Sequence, residues 1–345
     1  MKNKFLKLAV FSAASILASL CVSCNGANSN GKMKVVTTIF PEYDWVMNVI
    51  GDKKDNFDVS MLLDSGVDLH SYAPAPKDIV SISNCDLFVY VGGEFDEWVE
   101  DVLKEAKNKD MAVINLMEVL GDKAKEEELI EGMQGEDHDH DHDHEEGEDH
   151  DHEEGEEHDH DHEEEGPEYD EHVWLSLNNS QLFVSEICDS LSKLDKDNAS
   201  YYKSNADTYI DNLTTLDGQY KDAVSKASKD TLLFADRFPF RYLVDDYSLK
   251  YYAAFIGCSA ETEASFETIK FLADKVDELG LNYILKIESS DGGIANTVKN
   301  ATQNKNQTIL TMDSVQSATT KERANGRNYL SIMQSNLEVL KKALS

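Results

Sequence analysis

The sequence predicts an α/β protein of two lobes with mainly parallel sheets, joined by a long helix. Short apolar and β-branched segments alternate with helical patterns in residues 33–135, and the same alternation returns in residues 230–345. Such alternation is typical of parallel sheets that are covered by helices. Ligands of α/β sheets bind beyond the carboxyl ends of the strands, so we expect a ligand site in the cleft between the lobes.

The strands and helices are predicted from apolar runs and from turn residues. In the first lobe, Pro41 suits the first turn of a helix and Gly51 suits its end. The predicted strands cover residues 34–38, 57–63, 87–91, 112–114, 232–235, 251–255, 283–287 and 308–311. The predicted helices cover residues 41–50, 76–82, 95–106, 239–247, 266–279 and 294–304, and a last helix carries Leu330, Met333, Leu337, Leu340 and Leu344.

A long helix is predicted within the helical segment 172–229. Its apolar residues are spaced by three or four positions, which places them on one face. They are Tyr202, Ala206, Tyr209, Leu213, Leu216, Tyr220, Val224 and Ala227. We interpret the tyrosines as core residues, and the helix as a rigid connection between the lobes.

Residues 1–23 have the pattern of a secretory signal. Lysines precede a short apolar run that is followed by small residues, and the run is too short to span a membrane comfortably. Cys24 resembles the lipid-modified cysteine of a bacterial lipoprotein, although Cys21 stands where an aliphatic residue is usual. Simple secretion, or processing at Cys21, is the alternative. Residues 24–32 are small and polar, as expected of a tether to a lipid anchor.

The negative charge of the chain is concentrated in one segment. The formal net charge is −35, and residues 136–171 contain 22 acidic residues and no lysine or arginine. The remainder has 45 acidic and 32 basic residues, so the folded part is only moderately acidic and has no nucleic-acid-binding character. Cys85, Cys188 and Cys258 are too few for a disulfide framework, although one pair could bridge.

Residues 136–171 also carry most of the histidines. They are His138, His140, His142, His144, His150, His152, His158, His160 and His162, mostly at alternate positions between carboxylates. Neutral imidazole binds zinc, copper, iron and nickel, so this segment is interpreted as a disordered loop that collects transition metal. The alternative is an acidic, solvated linker.

Only two histidines lie outside this loop. His70 follows a predicted strand, and His172 follows the acidic loop and precedes the next helix. A single histidine is more often structural than a ligand. Two histidines at such positions, beside a histidine-rich loop, favour a metal site that both side chains share.

These two histidines lie in elements that resemble a known family. Residues 66–76 resemble the G-x-D-P-H-x-Y-x-P-x-P element of the zinc- and manganese-binding lipoproteins of metal ABC importers, with Leu69 in place of a proline. Residues 171–176 resemble the family's D-P-H-x-W-x-S element, with Glu171 in place of proline. The acidic histidine-rich loop is typical of the zinc branch. The resemblance covers essentially the whole chain after the signal and implies one metal in the cleft, held partly by His70 and His172.

One departure changes the expected ligand set. The zinc branch usually has a third histidine, and Arg237 stands in its place. A guanidinium cannot bind a metal. Asp291 resembles an aspartate ligand of the manganese-type relatives, and Glu261 and Glu263 lie near a carboxylate ligand of those relatives. Asp236 and a loop histidine are further candidates, and each carboxylate could instead be a turn or capping residue.

The resemblance implies a function in metal uptake. We expect a monomeric lipoprotein on the outer face of the cytoplasmic membrane, on the extracellular or periplasmic side, that binds Zn²⁺ and delivers it to the permease of an ABC importer. Mn²⁺ is the alternative metal, since histidines with carboxylates suit both. A surface metal buffer or adhesin is the alternative function. We find no H-E-x-x-H or comparable catalytic element and expect no enzymatic activity.

Overall fold

The computed structural model describes residues 31–64, 68–135, 168–259 and 263–345. Within these ranges lie two four-stranded sheets whose strand pairs are all parallel. The first sheet has the order β2-β1-β3-β4 and the second has the order β6-β5-β7-β8, so the two sheets share one topology. This architecture confirms the predicted fold class.

The strands are short and their core-facing positions are apolar. They are β1 (Met33–Thr37), β2 (Phe57–Met61), β3 (Leu87–Tyr90), β4 (Ala112–Asn115), β5 (Thr231–Phe238), β6 (Lys250–Ile256), β7 (Tyr283–Ile287) and β8 (Thr308–Met312). The central strand β3 is buried along its whole length. A parallel strand that is covered on both faces is expected to be uniformly apolar in this way.

Eleven α-helices lie in the described ranges. They are α1 (Phe40–Ile50), α2 (Pro76–Ser83), α3 (Trp98–Lys104), α4 (Leu116–Leu120), α5 (Leu177–Leu194), α6 (Ala199–Ser225), α7 (Arg241–Asp246), α8 (Phe266–Glu278), α9 (Gly293–Ala301), α10 (Thr320–Ala324) and α11 (Tyr329–Ala343). Pro41 occupies the first turn of α1, and Gly51 follows its end with a φ of 50°. The start and the end of this helix, predicted from these two residues, are therefore confirmed.

Helix α6 is the long connection between the lobes. It has 27 residues, which corresponds to about 40 Å at 1.5 Å per residue. The predicted stripe is buried from Tyr202 to Tyr220 and packs against α1, α5 and α11. One apolar cluster runs from β1 through α6 to β7, so the two lobes share a core along this helix.

The second half of the chain differs from the prediction at β5. The strand extends to Phe238, so Arg237 lies in the strand, and α7 begins at Arg241. A register shift lies between Phe234 and Arg237. The carboxylate of Asp236 accepts hydrogen bonds from the amides of Arg237, at 2.9 Å, and Ile287, at 3.3 Å. These bonds connect the irregular end of β5 to β7, and the strand continues to Phe238 because its last residues pair with β6.

Candidate metal centre

His70 is placed by a short 3-10 turn (Leu69–Ser71) that follows β2. Asp68 caps this turn, and its Oδ1 accepts the amide N–H of His70 at 3.1 Å. The same oxygen lies 2.7 Å from Nδ1 of the His70 ring. Because a carboxylate only accepts, Nδ1 carries the proton and Nε2 keeps its lone pair. Nε2 is buried and has no hydrogen-bond partner.

His172 is held in the same way. It precedes a 3-10 turn (Val173–Leu175), and Oδ1 of Asp170 lies 2.8 Å from the His172 amide nitrogen and 3.1 Å from its Nδ1. The turn is fixed because Trp174 Nε1 donates to the carbonyl of Ser314 at 2.8 Å. Each histidine is therefore oriented by an aspartate two residues before it. A carboxylate behind the imidazole is the usual support of a metal-bound histidine.

The structure brings the two imidazoles together in the interior. Their ring centroids are 5.1 Å apart, and their side chains are 4% and 3% exposed. The cavity that both rings line has a volume of about 10 Å³. That is the size of a single water or ion, since one water needs roughly 10–15 Å³ by the same measure. The space between His70 and His172 therefore suits one ion.

Cys258 is the third potential ligand beside these rings. One ligand atom each of His70, His172 and Cys258 lies within 4.8 Å of the other two. Cys258 follows β6, and the carboxylate of Glu127 accepts its amide N–H at 3.2 Å. Burial and the nearby carboxylate of Asp170 raise the pKa of the Cys258 thiol. From the sequence, Cys258 was a candidate only for a disulfide, and Cys85, Cys188 and Cys258 are all free thiols.

Gly257 explains how the turn after β6 comes so close to His172. A Cβ at this position would lie 3.0 Å from the carbonyl oxygen of Phe238 and 3.1 Å from two atoms of the His172 ring. Distances of this size are tighter than ordinary van der Waals contact. Glycine therefore lets the backbone before Cys258 lie against the imidazole.

Arg237 occupies the position of the expected third histidine and lines the same small cavity as His70 and His172, where its guanidinium cannot bind a metal. Its Nη2 lies 2.7 Å from Oδ2 of Asp68, and its Nη1 donates to the carbonyl of Ser259 at 3.3 Å. Arg237 belongs to the C-terminal lobe and Asp68 to the N-terminal lobe, so this ion pair links the lobes. It also positions the carboxylate that orients His70.

Burial and the nearby charges favour the neutral form of the His70 ring by lowering its pKa. Burial lowers the pKa of His70, and His172 and Arg237 lower it further against the opposing hydrogen bond with Asp68. Burial alone would raise the pKa of Asp68, but the hydrogen bond to His70 and the ion pair with Arg237 outweigh it and hold that pKa well below its usual range. A neutral imidazole beside an ionised aspartate is the form that binds metal.

The candidate carboxylates lie around a larger cavity next to the histidines. Asp236, Glu263 and Asp291 line a cavity of about 760 Å³ together with His70 and Asp68. Asp291 is exposed, and its Oδ1 accepts the amide N–H of Gly293 at 2.7 Å at the start of α9. None of the three belongs to the group of ligand atoms that includes His70 and His172. Glu261 lies outside the described residues.

Glu171, which replaces the family's proline, supports the site from the N-terminal lobe. Its side chain is buried, and Oε1 accepts the amide N–H of Phe95 at 3.3 Å. The Phe95 ring meets the His70 ring edge-on, with the centroids 4.5 Å apart. Burial raises the pKa of Glu171 to about 8. The Glu171 side chain therefore fixes a wall of the site and is directed to Phe95.

The chain enters and leaves the histidine-rich segment close to this centre. The amide of Glu127 donates to the carbonyl of Glu168 at 2.9 Å, and the amide of Asp170 donates to the carbonyl of Lys125 at 2.8 Å. Tyr242 donates its hydroxyl to the Asp170 carbonyl at 2.9 Å. The chain that returns from the histidine-rich segment is therefore fixed by these bonds only a few residues before it reaches His172. The nine loop histidines and Cys24 lie outside the described residues.

No helix among the described residues is long and apolar enough to cross a bilayer.

The fold and the buried histidine pair define a class of protein, namely a two-lobe solute-binding fold with a candidate metal site between the lobes. A family model described as zinc-uptake complex component A, periplasmic (ZnuA), matches residues 35–343. The chain belongs to this family.

Individual relatives agree with this assignment. The chain is 33% identical to the zinc-binding protein AdcA of Streptococcus pyogenes over 91% of its own length and 56% of that protein. It is 31% identical to the high-affinity zinc uptake system protein ZnuA of Bacillus subtilis over 100% of this chain and 99% of that one. The crystal structure of the Zn(II)-bound ZnuA-like domain of Streptococcus pneumoniae AdcA matches with a TM-score of 0.67 and 27% identity, covering 91% of this chain and 99% of that domain. The chain thus spans about half the length of the streptococcal relative.

Proposed function

We propose that this chain is an extracytoplasmic, high-affinity zinc-binding protein that delivers its metal to an ABC importer. The observation that carries the proposal is the pair of buried imidazoles, each with Nδ1 on an aspartate, around a space of about 10 Å³. Burial of the unpaired Nε2 of His70 costs free energy unless an ion occupies the space beside it. A bound ion supplies the missing partner.

Zinc is the metal that the residues favour. Imidazole ligands suit zinc, whereas manganese prefers oxygen ligands. The nearest acidic side chains, Asp68 and Asp170, already support the two histidines. Asp291, Glu263, Glu261 and Asp236 are proposed as candidates for a further ligand from the C-terminal lobe. Manganese is the alternative that the experiment below distinguishes.

The location follows from the sequence. We propose that residues 1–23 are a signal peptide, that Cys24 carries a lipid and that residues 24–32 form the tether. The lobes then comprise residues 33–135 and 230–345, connected by the loop at 136–171 and the helical segment 172–229. On the outer face of the membrane, a monomer would bind zinc and present it to the permease. The loop would raise the local metal concentration near the cleft.

A competition titration of the metal-free chain tests the proposal. We expect one tight zinc equivalent, with manganese bound more weakly, and several weak equivalents from the loop. His70→Ala and His172→Ala should each abolish the tight equivalent, whereas His150→Ala in the loop is the matched control and should retain it. Retention of wild-type affinity in both site variants would contradict the proposal. Many weak equivalents without a tight one would favour a surface metal buffer.

A further inference from the structure

The metal centre lacks the third histidine of the family, and no described carboxylate completes it. The described group that reaches the two imidazoles is the thiol of Cys258. Resting on the proposed zinc-binding function, we propose that the Cys258 thiolate is the third protein ligand, so that the ion is held by two imidazoles and one sulfur.

The distances allow one ion to reach all three groups. A triangle with no side longer than 4.8 Å has a point within about 2.8 Å (4.8 Å divided by √3) of every corner. Zinc binds nitrogen at about 2.0–2.1 Å and sulfur at about 2.3 Å. The ligand atoms must therefore move by less than about 1 Å each to bind one ion. Rotations of side chains and a small closure of the lobes are sufficient for this change.

The neighbouring residues hold the backbone at Cys258 in place for this role. Gly257 lets the turn approach the His172 ring, and Glu127 accepts the amide N–H of Cys258. The unpartnered Nε2 of His70 lies in the same interior space, on a side chain that is 4% exposed. Three different segments of the chain thus bring one ligand each, and Cys258 belongs to the C-terminal lobe. A metal bound to all three would tie the lobes together.

Arg237 cannot serve as the third ligand, and it places a positive charge beside the proposed ion. Its guanidinium lines the small cavity with His70 and His172 and is held there by Asp68 and by the carbonyl of Ser259. A neutral ligand set of two imidazoles would leave the charge of a divalent ion beside this guanidinium uncompensated. On binding, the Cys258 thiol loses its proton to solvent and the thiolate cancels one of the two positive charges. A water or a C-lobe carboxylate can take the fourth position of a tetrahedral zinc.

The ligand set predicts a changed preference among metals. Thiolate is a soft ligand that selects zinc and copper(I), whereas manganese prefers oxygen ligands. The ratio of zinc affinity to manganese affinity should therefore be larger at this site than at a site of histidines and carboxylates. Cys258→Asp would replace sulfur with oxygen and should narrow the difference in affinity between zinc and manganese.

Cobalt(II) loading of the full-length chain tests the inference directly. A cobalt–thiolate bond produces a charge-transfer absorption in the near ultraviolet, which imidazole and carboxylate ligands do not produce. We expect this band in the unmodified chain and in Cys188→Ser, which is the same change at a buried cysteine of α5. We expect Cys258→Ser to lose the band. Loss of a residue that only supports a ligand costs about 10- to 100-fold in metal affinity, so zinc affinity should fall at least that much in Cys258→Ser.

The outcomes separate this inference from the proposed function. Tight zinc binding that depends on His70 and His172, without a thiolate band and with unchanged affinity in Cys258→Ser, would overturn the inference alone. A band that persists in Cys258→Ser would assign the sulfur to another cysteine and would also overturn it. Absence of any tight metal site would overturn both. Because the unmodified chain should itself show the band, the test does not depend on the folding of a variant.

Discussion

Asp68 gives the sharpest test of how the protein supports its candidate ligands. One of its oxygens lies 2.7 Å from Nδ1 of His70, and the other lies 2.7 Å from Arg237 of the opposite lobe. In Asp68→Asn, the amide oxygen can replace only one of these two acceptors, and the negative charge is lost. If the amide NH₂ faces His70, the ring must change its tautomer and place a proton on Nε2, where a metal would bind.

The expected magnitude follows from these contacts. A residue that supports a metal-bound histidine contributes about 10- to 100-fold in metal affinity, which is about 1.4–2.8 kcal/mol. The lost charge-assisted hydrogen bond to Arg237 should separately lower the free energy of unfolding of the metal-free chain by about 1.5–3 kcal/mol. Asp68→Asn should therefore lose zinc affinity and unfold at lower urea concentration even without zinc.

Competition titration and urea unfolding of the metal-free chain measure the two effects. Asp170→Asn should show a similar loss of zinc affinity because Asp170 supports His172 in the same way. Asp207→Asn is the matched control, since Asp207 is exposed and pairs only with Lys203. Such a surface pair contributes little. If Asp68→Asn bound zinc as tightly as Asp207→Asn, the aspartate would not position His70 for metal.

Three further predictions concern the surroundings of the site, the core and the loop. Gly257→Ala should displace His172 and weaken zinc binding at least tenfold in a competition titration, whereas Gly218→Ala, where a Cβ meets nothing within 4 Å, should leave it unchanged. Burial raises the pKa of Asp44 to about 6, although the hydrogen bonds from Tyr329 and Tyr209 oppose this rise. The folded state therefore binds the Asp44 proton more tightly than the unfolded state does, and the stability that this proton contributes below pH 4 is lost as the pH rises to about 6. Urea unfolding should therefore show Asp44→Asn gaining about 2.4 kcal/mol in free energy of unfolding relative to the unmodified chain between pH 4 and pH 7.5, and no gain would contradict that pKa. Deletion of residues 136–165, which contain no large apolar side chain, should leave the melting temperature of the metal-free chain unchanged and remove only weak zinc equivalents. Loss of the tight equivalent would instead place a loop histidine in the site.

The fold could be predicted from sequence because its signals are local. Strand β3 is buried on both faces and is therefore a continuous apolar run, and the long helix shows its buried stripe directly. At β5, where the observed end differs from the predicted one, the strand depends on contacts between distant residues. Strand β5 extends past its apolar run because Arg237 and Phe238 pair with β6, and no local pattern contains that pairing.

The two histidines could be predicted because they are the only ones outside the loop. Their aspartates at i−2 are visible in the sequence, but the hydrogen bonds to Nδ1 become evident only in three dimensions. Cys258 could not be found in this way. Its place beside His172 depends on the order of strands in the second sheet and on how the lobes face each other. The available signal was a glycine–cysteine pair directly after a predicted strand.

The substitution of arginine for the family's third histidine changes how the two lobes are connected. At the site itself, a histidine at position 237 would link the lobes only through a shared metal, whereas Arg237 links them there through Asp68 with no metal bound. The same contact orients the carboxylate behind His70, so the site is prearranged before an ion arrives. A ligand shifts the balance between two lobe arrangements only by the difference in its affinity for them. Because the Arg237–Asp68 ion pair already favours the lobe arrangement of this structure, zinc binding should produce a smaller change in lobe orientation here than in a relative with histidine at this position. Arg237→His should therefore increase the difference in small-angle X-ray scattering between the metal-free and zinc-bound forms. An unchanged difference would show that the ion pair does not hold the lobes together.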